Sequence, residues 1–279
     1  MDSTSVLNML SLMQDSQAGF EDNRLPLPAT KLPSEAQVLS RFQHYMQQMG
    51  KNESANAEVG QLSQYGPVNR QLTLWISSNE INFKTVKDKA ASLGVSINDL
   101  LIAATNTAFH TVLLPGGKTN LKFSLPVSLW PPGTNPYTFQ PACKVAHIGV
   151  TFPGSKSTKE NAASAFLQTS LVKEPYIVGA YKLVTETLTL VFTVNAFRKM
   201  ANWQVRTSAC TLANQVAGSE PWVIHGSEVD WVSQVGMMSY GVNISMTTVD
   251  KATKLTILAD MGVFKQGKAT LEKLGQTIV

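Results

Sequence analysis

Histidine and cysteine, the side chains best suited to acid–base, nucleophilic or metal chemistry near neutral pH, are few in this 279-residue sequence, and their spacing narrows what they could do. His44, His110, His147 and His225 are widely separated, and none forms part of a repeated-histidine or metal-ligand pattern. His44 is expected to be exposed on a connecting helix and His110 to be a structural residue inside a long helix. His147 alternates within a strand, and His225 falls in a strand or turn. Cys143 and Cys210 stand in unlike contexts, which points to a reducing compartment with both thiols packed as small hydrophobes. No glycine-rich phosphate loop is present. Asp2 stands at the head of a short amphipathic segment, and the pair Asn98-Asp99 at the head of the strongest helix. At a helix N-terminus an aspartate favours the positive end of the dipole, and an asparagine can satisfy free N–H groups. A structural role for Asn98 and Asp99 therefore stands beside any functional one.

These residues need elements to position them. Asp2, Ser3 or Thr4 can cap a first helix on which Val6, Met9, Leu10 and Met13 share a face. Such a helix is too short to be stable alone and is expected to pack on a larger body. Residues 16–34 read as an extended connector, 37–49 as a second helix and 51–64 as a loop. Residues 1–68 together are thus a leading helix followed by a crossover linker. From residue 69 the texture changes, and 69–279 read as one lobe. A strand over 71–76 precedes a helix over 83–93 that Gly94 closes. Ser96 then caps a helix over 97–114, whose apolar stripe of Leu101, Ala104, Ala108 and Val112 is widened by Ile102 and Phe109. Strands follow at 121–129 and 146–152, with a proline- and glycine-rich loop over 131–141 between them. A helix over 158–171 is capped by Ser157 or Thr158. Residues 176–200 are apolar and β-branched; helix and strand are hard to separate there, and helix is preferred. Strands at 208–213, 241–249 and 254–259 and a helix at 265–277 end the chain. The pattern is α/β, with a mixed sheet flanked by helices.

Several short segments resemble one family. Gly94-Val95-Ser96-Ile97-Asn98-Asp99-Leu100 is similar to the G-V-[ST]-[LV]-N-D-[VL] start of a long helix in bacterial wax ester synthase/diacylglycerol acyltransferases and their eukaryotic relatives. Leu125-Pro126-Val127-Ser128-Leu129-Trp130-Pro131 resembles that family's V-P-V-[NS]-[LV]-R-P strand, with Trp130 where arginine is usual. The strand over 146–152, the run Thr211 to Pro221 and the run Asn243-Ile244-Ser245 resemble further family segments in the same order. Each is weak alone; five in order across about 90–260 are more specific.

The resemblance implies one lobe of a chloramphenicol-acetyltransferase-like fold plus an N-terminal crossover helix and linker. It implies an O-acyltransferase with acyl-CoA as co-substrate and no other cofactor. A fatty acyl group would pass to diacylglycerol or a long-chain alcohol. In the family motif H-H-x-x-x-D-G the second histidine is the general base. Asp2 aligns with the motif's aspartate and Ser3 replaces its glycine, so both histidines would precede residue 1 and the chain is expected to lack its catalytic base and its N-terminal lobe. Asn98 and Asp99 would support the substrate tunnel. The alternatives are a non-catalytic lipid-binding or membrane-associated module, and a fragment.

Composition sets the remaining bounds. At 43% hydrophobic and 15% charged residues, the sequence is that of an ordered globular protein with a sizeable core. Residues 1–69 carry four basic and seven acidic side chains, leaving nineteen basic and twelve acidic over 70–279. The basic part suits a phosphate-bearing ligand or an anionic lipid surface, or is simply a solvated face. No dense basic run with interleaved aromatics occurs, which argues against nucleic acid. No apolar run is long enough for a transmembrane helix and no signal peptide is legible. The expected location is intracellular, peripheral to a membrane such as the endoplasmic reticulum or the plasma membrane.

Overall fold

The computed structural model describes residues 72–77, 79–114, 120–128, 145–154, 157–172, 208–218, 222–229, 242–261 and 267–279, together with Ala36 and Ser40, which are helical and exposed. The rest of the leading helix and linker expected over 1–68, the segment 176–200, Asp2, His44 and Cys143 lie outside the described residues.

The described chain forms a mixed sheet of seven strands flanked by four helices. In chain order the elements are β1 (Leu72–Ile76), β2 (Ile81–Asn82), α1 (Phe83–Ser92), α2 (Ile97–Ala108), β3 (Leu121–Ser128), β4 (Val145–Phe152), α3 (Thr158–Val172), β5 (Cys210–Gly218), β6 (Trp222–Ile224), β7 (Ser227–Val229), β8 (Val242–Val249), β9 (Ala252–Asp260) and α4 (Lys268–Ile278). Across the sheet the order is β1-β9-β8-β5-β3-β4, with β2 also pairing with β9. The pairs β3/β4, β8/β9 and β1/β9 are antiparallel, whereas β5 runs parallel to both β3 and β8 at the centre. The hairpin β6/β7 stands apart. Its two-residue turn, His225-Gly226, has φ of 51° and 73°, the left-handed pair that a tight hairpin needs.

Alternation along each strand sends one set of side chains to each face. The register aligns Phe123, Cys210, Leu212, Ile244, Ile257 and their i±2 neighbours on one face, and these form the buried core with Leu101, Ile102, Phe109, Leu271 and Leu274 of the helical layer. Phe109 meets Phe123 edge-on, with ring centroids 5.9 Å apart. Helix α4 lies so close to β1 that a Cβ at Gly275 would collide with the Trp75 ring.

Helix α2 begins where expected. Gly94 takes φ 68°, and Ser96 caps the helix in a reciprocal box with Asp99. It does not run unbroken to Leu114. The α-helical part ends at Ala108 and is continued by a π-helical turn, Phe109–Leu113, closed by the Leu114 N–H donating to the Phe109 carbonyl at 2.9 Å. Its buried face is also less apolar than the stripe suggests. Leu101, Ile102, Ala108 and Phe109 are buried, Ala104 and Val112 only half-buried, and Asp99, Thr105, Asn106 and His110 are buried beside them. For Asp99 and Asn106 the reason is α3, which packs antiparallel along α2 through polar side chains. Asn106 Nδ2 donates to Asn161 Oδ1 and to the Pro153 carbonyl, both at 2.9 Å, and Asn161 Nδ2 donates to Thr107 Oγ1 at 2.8 Å. Two turns away, Thr169 Oγ1 donates to Asp99 Oδ1.

Helix α3 is capped by Ser157, whose Oγ accepts from the Glu160 N–H at 3.3 Å. Strand β5 starts two residues later than expected and runs on to Gly218. No helix among the described residues is long and apolar enough to cross a membrane.

Candidate functional site

On the face away from the core cluster, the central strands are polar and yet largely closed to solvent, whereas β1 at the edge presents exposed Leu72 and Leu74 on the same face. The register places Ser124, Thr211 and Asn243 in one row across β3, β5 and β8, Ala213, Ser245 and Thr256 in the next across β5, β8 and β9, and Gln215, Thr247 and Lys254 beyond. Lys122 and Thr151 are paired at the β3/β4 end. Most of these side chains are buried: Ser124, Lys122, Thr151, Thr211, Ser245, Thr247 and Thr256 are each at most 5% exposed. Strand chemistry explains the set. Threonine and serine tolerate the extended backbone while presenting a hydroxyl every second residue.

Several of these polar atoms have no partner among the described residues. Thr151 Oγ1, Thr211 Oγ1, Thr247 Oγ1 and Gln215 Oε1 are enclosed and make no hydrogen bond, although Gln215 and Thr247 are direct neighbours in register. Buried hydroxyls and amides are ordinarily paired, because each unpaired group loses its hydration without recompense. A layer of such groups on one face is the arrangement expected where a polar substrate or ordered water completes the set.

At the β3/β4 end, His147 Nδ1 lies 3.3 Å from Ser124 Oγ. Burial holds the imidazole below its ordinary pKa, so at neutral pH the ring is uncharged and able to accept a proton. Gly149 lies between His147 and Thr151 on this face, and the Lys122 stem crosses it in the space a Cβ would take.

Asn98 and Asp99 do not reach this layer. They sit on the helical side, and the two differ from each other. Asp99 is fully buried, accepts from the Ser96 N–H at 3.0 Å and from Ser96 Oγ at 2.7 Å, and also accepts from Thr169. Every one of these contacts holds α2 to its own start or to α3. Asn98 is exposed, and its Oδ1 accepts from Asn214 Nδ2 of β5 at 2.6 Å, tying the start of α2 to the central strand. His110 is buried in the π-helical turn, and His225 occupies the β6/β7 turn. Cys210 is buried in the core with its thiol pKa pushed far up by burial, which removes it as a nucleophile. No cluster of metal-ligating side chains occurs among the described residues.

The polar sheet face was not among the sites expected from sequence. The alternation in Val242-Asn243-Ile244-Ser245-Met246-Thr247 marks one polar side, but only the burial of that side makes it a candidate site.

Comparison with solved structures identifies the class of fold. The first condensation domain of the calcium-dependent antibiotic synthetase, in complex with a substrate analogue, matches at TM-score 0.52 and 12% identity, over 100% of this chain and 60% of that one. The X-domain from teicoplanin biosynthesis matches at TM-score 0.52 and 10% identity, over 99% and 65%. The wax ester synthase/diacylglycerol acyltransferase from Marinobacter aquaeolei VT8 is also matched, at TM-score 0.47 and 14% identity, over 81% and 55%. The two matches at TM-score 0.52 show that the chain has the chloramphenicol-acetyltransferase-like α/β fold found in condensation domains. It spans less than two thirds of each of these three chains. No protein-family model matches the sequence, and no curated protein matches it.

Proposed function

We propose that this chain is a lobe of an O-acyltransferase that moves a fatty acyl group from acyl-CoA to diacylglycerol or a long-chain alcohol. The observation that carries the reading is the buried polar face of the sheet, where unpartnered Thr211, Thr247 and Gln215 are available to a thioester, ester or hydroxyl group. The fold and the ordered motif resemblances support the same chemistry. A hydroxyl attacks the thioester carbonyl, the thiolate of CoA leaves, and a general base takes the hydroxyl proton. In the family pattern that base is the second histidine of H-H-x-x-x-D, a motif the 279 residues do not contain. We assign the base to a second lobe that carries this motif, Asp2 to the position of the motif's aspartate, and Asn98 to the support of the tunnel wall through Asn214. Asp99 supports that wall only by fixing the helix that carries Asn98. Contact with a membrane surface would follow from the apolar substrates.

The test is transfer of a labelled acyl group from acyl-CoA to diacylglycerol or hexadecanol. The chain alone and the chain joined to a lobe carrying H-H-x-x-x-D are compared. Product is expected only from the joined form, because loss of the general base alone removes about two to four orders of magnitude in rate. Product from the chain alone would move the base to these residues, with His147 first in line. No product in either form would sink the acyltransferase reading.

A further inference from the structure

The helical side of the sheet contains a second feature, a cleft of about 280 Å³. Its floor is Met246 of β8 and Leu255 of β9, and Leu100 and Ala104 of α2, Val86 of α1 and Ile278 of α4 stand around it. Met246 and Leu255 pair in register on the core face, so this cleft lies across the sheet from the buried polar layer. Its lining is mainly aliphatic, and no acidic side chain contributes to it. The one cation in the lining is Lys89, in the last turn of α1. Lys89 makes no ion pair among the described residues. An exposed lysine at a helix C-terminus is favoured by the helix dipole alone. Here it also stands at the edge of an apolar cleft, which gives it a second use.

We propose that this cleft binds a single-chain fatty carboxylate, with the alkyl chain on Met246, Leu255 and Ala104 and the carboxylate at Lys89. Met246 and Leu255 are already shielded from water, so an alkyl chain moved into such a lining gains mainly the hydrophobic free energy of its own surface and of the half-buried Val86, Leu100, Ala104 and Ile278. The size suits one chain of medium length, because about 280 Å³ lies at the lower end of the range of ligand pockets. A charge-assisted hydrogen bond to Lys89 selects the anionic head. The cleft is formed entirely by residues of this lobe and does not depend on acyl transfer taking place.

Decanoate, decanol and decyltrimethylammonium are titrated into the full chain by calorimetry. Decanoate is expected to bind with a negative heat-capacity change and about tenfold more tightly than the other two. Lys89→Met is expected to bring the three within about twofold of one another, a charge-assisted hydrogen bond being the only difference removed. Ala104→Trp, or Val86→Phe from the opposite wall if the first variant does not melt cooperatively, is expected to abolish binding of all three. Absence of decanoate binding would overturn the assignment. So would equal affinity for the three ligands, an anion preference that survives Lys89→Met, or unchanged binding in a folded cleft-filling variant. Because no transfer is measured, these outcomes are separate from those of the acyltransferase assay.

Discussion

Asp99 and Asn98 are consecutive in sequence and opposite in physical situation. Asp99 has no solvent exposure and is bound by Ser96 and Thr169, so its removal strands donors in the α2/α3 interface. Asp99→Ala is expected to lower unfolding free energy by roughly 1–3 kcal/mol, read as a shift of the urea midpoint at constant slope. Asn98→Ala removes one exposed bond to Asn214 and is expected to change stability by about 0.5 kcal/mol or less. A transfer rate that fell in Asn98→Ala at unchanged stability would mark a role in the substrate path; a rate that fell only in parallel with stability would not. His147 gives a pH signature. Its folded pKa lies below the unfolded value because burial disfavours the imidazolium. The unfolded chain therefore binds the proton more readily, and the associated stability is full above the unfolded pKa of about 6.5 and declines as pH falls through the lower folded pKa. His147→Gln is expected to flatten the stability profile over that acidic window, and an unchanged profile would show that the ring does not titrate differently on folding.

Elements were legible where pattern and punctuation agree. The start of α2 was readable because Gly94, Ser96 and Asp99 each have a local backbone task, and the structure uses all three. The end of α2 was not, because apolar periodicity continues through Val112 while the backbone changes to a π-helical turn at Phe109. Nothing in residue propensity marks that change. The polar α2/α3 interface was hidden for a related reason: Asn106, Asn161 and Thr169 become good core residues only when a particular neighbour supplies the partner. Gly275 is a further case. In an average helix, glycine to alanine adds stability of up to about 1 kcal/mol. Here the new methyl would enter the Trp75 ring, so Gly275→Ala is expected to lower the melting temperature, and a rise would show that α4 can move off β1 without loss.

At the scale of the molecule, a mixed sheet with β5 central and parallel to both neighbours carries an apolar face and a buried polar face. The polar face yields a prediction that separates folding from function. Thr247→Val removes a buried hydroxyl without a partner at nearly constant volume and is expected to leave stability unchanged or raise it by about 1 kcal/mol. If that face lines the acyl-transfer path, the joined two-lobe form should lose rate despite the gain. An unchanged rate would remove Thr247 from the path. The sequence by itself determined the α/β class, the positions of most described strands and helices, and the ordered motifs that point to the acyltransferase fold, because periodicity, caps and turn residues act over a few neighbours. Only the tertiary structure decided that the polar sides of β3, β5 and β8 are buried together, that Asp99 serves the helical layer while Asn98 reaches β5, and that α1, α2 and α4 leave a cleft at Lys89. Those facts depend on register and on packing between residues distant in the chain, which no local pattern encodes.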